Sequence, residues 1–422
     1  MEYKLKDCIQ EIIDNRGRNP AQYYEGEKFP VIDNYLIQND LYPDLKNVKR
    51  YIDLKTHDNF IRKYLKRNDV LMTLVGNGIG NVSLSPSDEV VIIQNTIGFR
   101  ANNEILLNEY LYYYFKYSKQ ELLNFDRGSS QPSIKKTDIL NMVIDIPTIK
   151  VQNSIISLLI SLDRKIEVNN NIKSLLEELS DVLFQRWFID FEFPNENRVP
   201  YKSNGGEMKN YVQKEIPFDW EYIELKDIIF QSKKTFNPIK SEVEEVAHFS
   251  LPAYDKQEYP SIELSDTIKS NKYIINSDSI IFSKMNPNTP RVWLPNINKN
   301  LKNVCSSEFV VLDTSKKSNQ SFIYTLVKSK DFINFLINNT TGSTGSRQRV
   351  SPTTALSFKF PYNEKVVLNF EKTIKPLLNM ILVLKEESQQ LKLLRDTLIP
   401  KFMSGDFEML NETEVFENVS IS

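Results

Sequence analysis

A chain of 422 residues, 41% apolar and 26% charged, has enough apolar material for two or more packed cores. Its formal charge of −2 gives no global pull toward a polyanion, and its apolar runs fall well short of the roughly 18 residues a membrane span needs. Cys8 and Cys305 lie in different halves without metal-ligand spacing, so neither a zinc site nor a disulfide framework is supported and both are expected as buried thiols. The N-terminus, MEYKLKDCIQEIID, has no apolar signal core, and a cytoplasmic protein without a membrane partner is expected.

Residues 1–147 mix short β-rich runs with turns: VLMTLV at 70–75, then GNGIGNVSL, then EVVIIQNTIGF at 89–99. A helical run, EILLNEYLYYYFKYSKQELLN, turns its Leu and Tyr face inward, which makes the class α+β. Gly76, Gly78 and Gly80 resemble a phosphate-cradling loop, but they lead from one strand into another, with no helix N-terminus to hold a pyrophosphate. A tight hairpin is expected there. FDRGSSQPSIKKTDIL then combines a turn at Gly128 with donors from Ser129, Ser130 and Gln131 and charge from Arg127, Lys135 and Lys136. Donors and cations together suit phosphate oxygens or base edges; the plain alternative is a solvated loop.

Residues 148–190 read as one long helix, with Ile155, Leu159, Leu162, Ile166, Ile172, Leu176, Leu179 and Leu183 at three- to four-residue steps, apart from a longer step across Asn169–Asn171. Some 36 residues make a rod of roughly 54 Å, which needs a partner to cover its stripe. Residues 191–220, rich in Pro, Gly and Asn, read as a linker.

The second half repeats the first. LKDII at 225–229 echoes LKDCI at 5–9, and KYIINSDSIIFS echoes KYLKRNDVLMTL, with Asp278 in the place of Asp69. The polar loop returns as NNTTGSTGSRQRVSPTTAL, with Gly345, Ser346, Arg347, Gln348 and Arg349 set against Gly128–Pro132. After this unit, 221–361, a second long helix is expected over 362–405, where Leu377, Ile381, Leu384, Leu391, Leu394 and Leu398 repeat the spacing. LEELSDVLFQRWF at 176–188 aligns without gaps on LKLLRDTLIPKFM at 391–403, a shift of about 215 residues. Two matched stripes predict a coiled coil, paired through Leu162, Leu176, Leu179 and Leu183 on one helix and Leu384, Leu391, Leu394 and Leu398 on the other. The tail, 406–422, carries five carboxylates and no base, so residues 1–404 are close to +3 and any DNA affinity must come from local basic patches.

Between these landmarks the halves diverge, yet each puts basic and amide residues in its early variable loop: Arg16, Arg18 and Asn19 in one, Lys233, Lys234 and Asn237 in the other. A shared scaffold with unlike polar loops suits two readers of different sequences; neutral drift after duplication is the alternative. The candidates for DNA contact are Arg16, Arg18, Arg127, Ser129, Gln131 and Lys135, then Lys233, Lys234, Arg347, Gln348 and Arg349. Pro43-Asp44 followed by Asp53-Leu54-Lys55 has the letters of a metal-dependent nuclease, but so short a pattern is common by chance. No nucleotide-binding loop ending in Gly-Lys-Ser/Thr and no Asn/Asp-Pro-Pro-aromatic methylation motif occurs, and His57 and His248 sit in separate halves. A chain without catalysis or metal of its own is expected, and a protein-only coiled-coil scaffold is the competing class.

In this order and duplication, NDVLMTLVGNGIGNVSL, RGSSQPSIKKTDILNMVIDIP, the helix through LLEELSDVLFQRWFIDFEFP, the linker YKSNGGEMKNYVQKEIPFDWEYIEL and the closing LLRDTLIPKFMSGDFE resemble the specificity subunit of type I restriction-modification enzymes over nearly the whole length. The resemblance implies two target-recognition domains, at 1–147 and 221–361, each reading half of a bipartite, asymmetric double-stranded DNA site, with the long helices paired antiparallel between them. It further implies that two methyltransferase subunits dock on the helices to modify adenine at N6 with S-adenosylmethionine, and that restriction subunits bring ATP- and Mg-dependent translocation. A stiff connector would hold the readers about one turn of B-DNA apart, ~34–36 Å, within reach of the rod. Departures from the pattern are Arg349 at the Pro132 position, YNEKVV after Pro361 where the first repeat has TIKVQN, and Pro376 near the expected start of the second helix.

Overall fold

The computed structural model describes residues 1–17, 19–26, 28–126, 132–212, 214–315, 319–341 and 348–405. The chain divides into two compact units, Met1–Val168 with the described residues from Ser388 onward, and Asn169–Glu387.

In the first unit a four-stranded antiparallel sheet has the order Ile9–Ile13, Thr96–Ala101, Val70–Thr73, Val82–Leu84. Successive side chains of a strand point to opposite faces, so Val70 and Met72 enter the cluster built with helix Asn108–Tyr117, while Leu71 and Ile13 enter a second cluster with Ile32, Leu36, Leu65 and Ile92. Both faces are covered, which is why this strand reads as an unbroken apolar run. The Gly76–Gly80 stretch is the expected hairpin: Gly80 N–H donates to Thr73 at 2.9 Å, and Thr73 N–H donates to Asn81 at 3.0 Å.

Gly98 lies opposite both Ile13 and Leu71, and a Cβ there would sit 2.9 Å from Leu65 Cδ2 and 3.1 Å from Ile13 Cβ. Gly98→Ala is therefore expected to overpack the sheet at a cost of ~1–3 kcal/mol, read as a lower midpoint in chemical denaturation. An unchanged midpoint would mean the cluster gives way freely.

The second unit repeats this frame. Its sheet has the order Phe230–Ser232, Phe309–Asp313, Ser279–Ser283, Val292–Trp293, again antiparallel. Helices Gln320–Lys328, Lys330–Asn338 and Pro352–Leu356 follow as Asn108–Tyr117, Lys119–Leu123 and Lys136–Leu140 do in the first unit. A closing pair, Glu221–Glu224 with Lys359–Tyr362, matches Glu2–Lys4 with Val143–Asp145. The inserts differ. The first unit carries the small pair Phe29–Pro30 and Tyr51–Ile52, whereas the second carries a five-stranded sheet that includes Glu245–Phe249 and Lys302–Cys305.

The first long helix runs Ile149–Phe184 and ends in a wider π turn, Gln185–Ile189. The second runs Glu364–Met403, so it starts well before Pro376, and the exposed proline forfeits one backbone hydrogen bond without ending the helix. Within the second unit Asn169 Nδ2 donates to Glu387 at 2.7 Å, and Trp187 meets Phe370 edge-on at 5.4 Å; the indices run in opposite senses, so the segments are antiparallel. In the first unit Ile155, Ile156 and Leu159 share a core with Ile399, Phe402 and Met403. There Arg395 Nη1 lies 2.5 Å from Asp163 Oδ1, Tyr113 donates to the other carboxylate oxygen at 2.7 Å, and the paired side chains are 9% and 3% exposed.

The seam differs from the expected one at two leucines. Leu162 and Leu384 are buried, Leu176, Leu183, Leu391 and Leu398 are half-buried, but Leu179 and Leu394 are 44% and 48% exposed. The buried stripe passes instead through Asn169, Ser180, Ser388 and Arg395. The segment 191–220 also departs from a plain linker, because Phe191, Phe193, Ile216 and Trp220 are buried in the second unit's core and Met208–Tyr211 pairs with Lys214–Pro217.

Candidate nucleic-acid interface

Arg18, Arg127, Ser129, Gln131 and Arg347 lie outside the described residues, as does the acidic tail. Of the remaining candidates, Arg16, Lys233 and Lys234 follow strands of the repeated sheet, Lys135 precedes helix Lys136–Leu140, and Gln348 and Arg349 lie beside isolated bridges of Arg349 to Met285 and Thr341.

In the first unit, strand Ile9–Ile13 continues into Asp14, Asn15, Arg16 and Gly17. Asn15 is 2% exposed and its amide uses its whole hydrogen-bonding capacity: Nδ2 donates to the carbonyls of Lys63 and Ile92, and Oδ1 accepts from the backbone of Arg62 and Lys63. This inward amide pins the loop backbone and leaves its neighbours in sequence facing outward. Arg16 then donates Nε and Nη2 to the two oxygens of Asp14 at 2.9 and 2.8 Å, and Arg62 donates to the Arg16 carbonyl at 2.7 Å. Gly17 has φ +101°, a turn that side chains resist. Lys136 Nζ reaches Asp14 at 3.1 Å, so the early loop and the base of the Gly-Ser-x-Gln loop meet. The hydrogen bonds from Arg16, and then those from Lys136, hold the Asp14 carboxyl well below the usual carboxylate range against the opposing effect of burial. Lys135, next to this brace, is exposed at the start of helix Lys136–Leu140.

In the second unit the loop exit is held by a different set. Arg349 donates Nη2 to Glu308 at 3.0 Å, and Asn288 donates to the Gln348 side chain at 3.1 Å. Lys233 and Lys234 are exposed just after strand Phe230–Ser232, the place that Asp14 and Asn15 take in the first unit. The backbone also corrects the alignment of the two loops. Gly76 donates to Pro132 and Ile134 to Leu74 in one unit, as Asn286 donates to Gln348 and Val350 to Lys284 in the other. Pro132 thus matches Gln348 and Ser133 matches Arg349, one residue away from the register read on the letters.

The carboxylates of the nuclease-like letters have structural work. Asp44 accepts Lys46 N–H at 2.9 Å and Asp53 accepts Thr56 N–H at 2.8 Å, each capping a short helix. Among the described residues no group of three or more His, Cys, Asp or Glu could hold a metal ion, and no helix is long and apolar enough to cross a membrane.

A twice-used α+β frame with unlike inserts and two long helices makes this a duplicated α+β protein. A family model described as "Type I restriction modification DNA specificity domain" matches residues 1–178. The chain is 24% identical over 424 residues to the MjaIX specificity subunit of Methanocaldococcus jannaschii, covering 96% of this chain and 93% of that one. It is also 24% identical over 204 residues to the HindI specificity subunit of Haemophilus influenzae, covering 44% and 42%. The fold matches the crystal structure of a type I restriction-modification S subunit from M. genitalium with a TM-score of 0.60 at 14% identity, covering 97% and 96% of the two chains.

Proposed function

We propose that this chain reads a bipartite, asymmetric double-stranded DNA site, one half per unit, and leaves all catalysis to other subunits. The observation that carries this is the repetition of one frame, strand order and helix succession included, around inserts that share almost nothing. Under this proposal the recognition domains are 1–147 and 221–361, and the candidate residues of the two polar loops face DNA.

Two methyltransferase subunits dock on the long helices, bringing S-adenosylmethionine, and restriction subunits bring ATP and Mg. Support comes from the outer face of the first long helix, where Ile172, Leu175, Leu179 and Val182 recur at helical spacing and are 39%, 65%, 44% and 56% exposed. A continuous apolar stripe facing water is the mark of a partner surface.

The test is to map methylated adenines in cells that express this chain with its cognate methyltransferase. A two-part motif with a gap of constant length is expected. Absence of any site-specific mark would leave the protein-only scaffold as the better account, and metal-dependent cleavage by the purified chain alone would favour a nuclease.

A further inference from the structure

We propose that Asp14 is a positioning residue that presents Arg16 to one guanine in the half-site read by the first unit, an inference that rests on the DNA-reading function proposed above. A guanidinium carries five N–H donors in a fixed plane. Asp14 takes the Nε–H and one Nη2–H, at 2.9 and 2.8 Å, so the outer edge of the group, two hydrogens on Nη1 and one on Nη2, is left to act. Of the four bases in the major groove, guanine alone offers two adjacent acceptors, N7 and O6, to such an edge. Adenine pairs its acceptor with a donor, and cytosine presents a donor.

The fork is set before DNA arrives. Asn15 fixes the backbone between Asp14 and Arg16, Arg62 holds the Arg16 carbonyl, and Lys136 ties Asp14 to the base of the second loop at 3.1 Å. The depressed Asp14 carboxyl stays ionised through neutral pH, so the brace does not relax under ordinary conditions. Arg16 is 28% exposed at its side chain and Asp14 only 21%, which suits an arginine that reaches out and a carboxylate that stands behind it. Preorganisation of this kind spares the ordering cost of a long side chain on binding. The matching place in the second unit carries Lys233 and Lys234, with no carboxylate, so the effect belongs to one half of the site.

The experiment maps methylated adenines for the wild-type chain, Arg16→Lys and Asp14→Asn, each expressed with the cognate methyltransferase. Arg16→Lys is expected to lower discrimination about 5- to 150-fold at a single guanine of one half-site. Asp14→Asn is expected to lower it less, at the same base pair. The other half of the motif stays as in wild type and reports a folded complex. An unchanged motif with Arg16→Lys overturns the guanine contact. A relaxed motif with Arg16→Lys but an intact one with Asp14→Asn overturns the positioning role. A uniform fall in methylation with every letter of the motif retained marks a phosphate contact and overturns the inference as well. Should Asp14→Asn unfold the unit, Arg16→Lys, which keeps the charge, still decides the guanine contact, and Lys136→Met, which removes the other support of Asp14, decides the brace by relaxing that same base pair or leaving it intact. A wild-type chain that directs no motif at all overturns the function itself, a result distinct from any of these.

Discussion

Arg395→Met is expected to destabilise the protein by about 3–5 kcal/mol, because it leaves the Asp163 carboxylate buried with the Tyr113 hydroxyl in place of a full countercharge. Some relief comes from Lys116. Burial, and next to it the charge of Arg395, lowers that amine to about 8, and loss of Arg395 lets it rise and face Asp163 more fully charged. The paired change Asp163→Leu with Arg395→Met is expected to restore most of the loss, since replacing a buried ion pair by apolar groups of similar size is often neutral or better. At the same shift of 215 residues the second unit has Leu378 and Ser180 at these positions, so the fold already tolerates an uncharged version. Urea denaturation of the single and double variants checks this: a double variant no more stable than Arg395→Met would show that the pair itself holds the helices.

Under the docking proposed above, Leu175→Glu combined with Leu179→Glu is expected to abolish capture of a coexpressed methyltransferase subunit while leaving thermal unfolding of the chain nearly unchanged. Both side chains face water, 65% and 44% exposed, and surface changes of this type cost within ~0.5 kcal/mol of stability. Glutamate is a good helix former, so the helix persists. Fully burying a leucine at an interface is worth ~1.5–3 kcal/mol, roughly 10-fold or more in affinity, and a carboxylate set there adds a desolvation cost. Co-purification and size-exclusion chromatography of the coexpressed subunits read the outcome; an intact assembly would place the docking surface elsewhere.

The duplication was legible because it rests on spacing. The two long helices and the gapless match of 176–188 with 391–403 survive as structure: Phe184, Trp187 and Phe188 plug one core as Ile399, Phe402 and Met403 plug the other. The seam residues were less legible, for a physical reason. Leu179 and Leu394 satisfy the apolar period but face outward, and the buried turns are filled by Asn169, Ser180, Ser388 and Arg395, which a count of apolar letters passes over. Asn169 and Arg395 are tolerable inside only because Glu387 and Asp163 wait opposite, and that pairing joins residues more than two hundred apart. The segment 191–220 looked like a linker by its Pro, Gly and Asn, while its few aromatic residues, Phe191, Phe193 and Trp220, decide where it packs. The Asp14 brace had a signal that passed unread: Asp-Asn-Arg-Gly at a strand end sets a carboxylate and a guanidinium two residues apart, on the same side of extended backbone.

One feature of the fold governs how the chain comes off the ribosome. The first unit takes Ile399, Phe402 and Met403 into its core, yet these residues are made more than 230 positions after Val168. At ~5–20 residues per second the earlier segment waits roughly 10–45 s with part of its apolar surface uncovered. The second unit has its own segments contiguous, Asn169–Glu387, and completes first. Translation thus finishes the N-terminal unit last, and a nascent chain stalled before residue 388 would expose an open socket to chaperones and proteases.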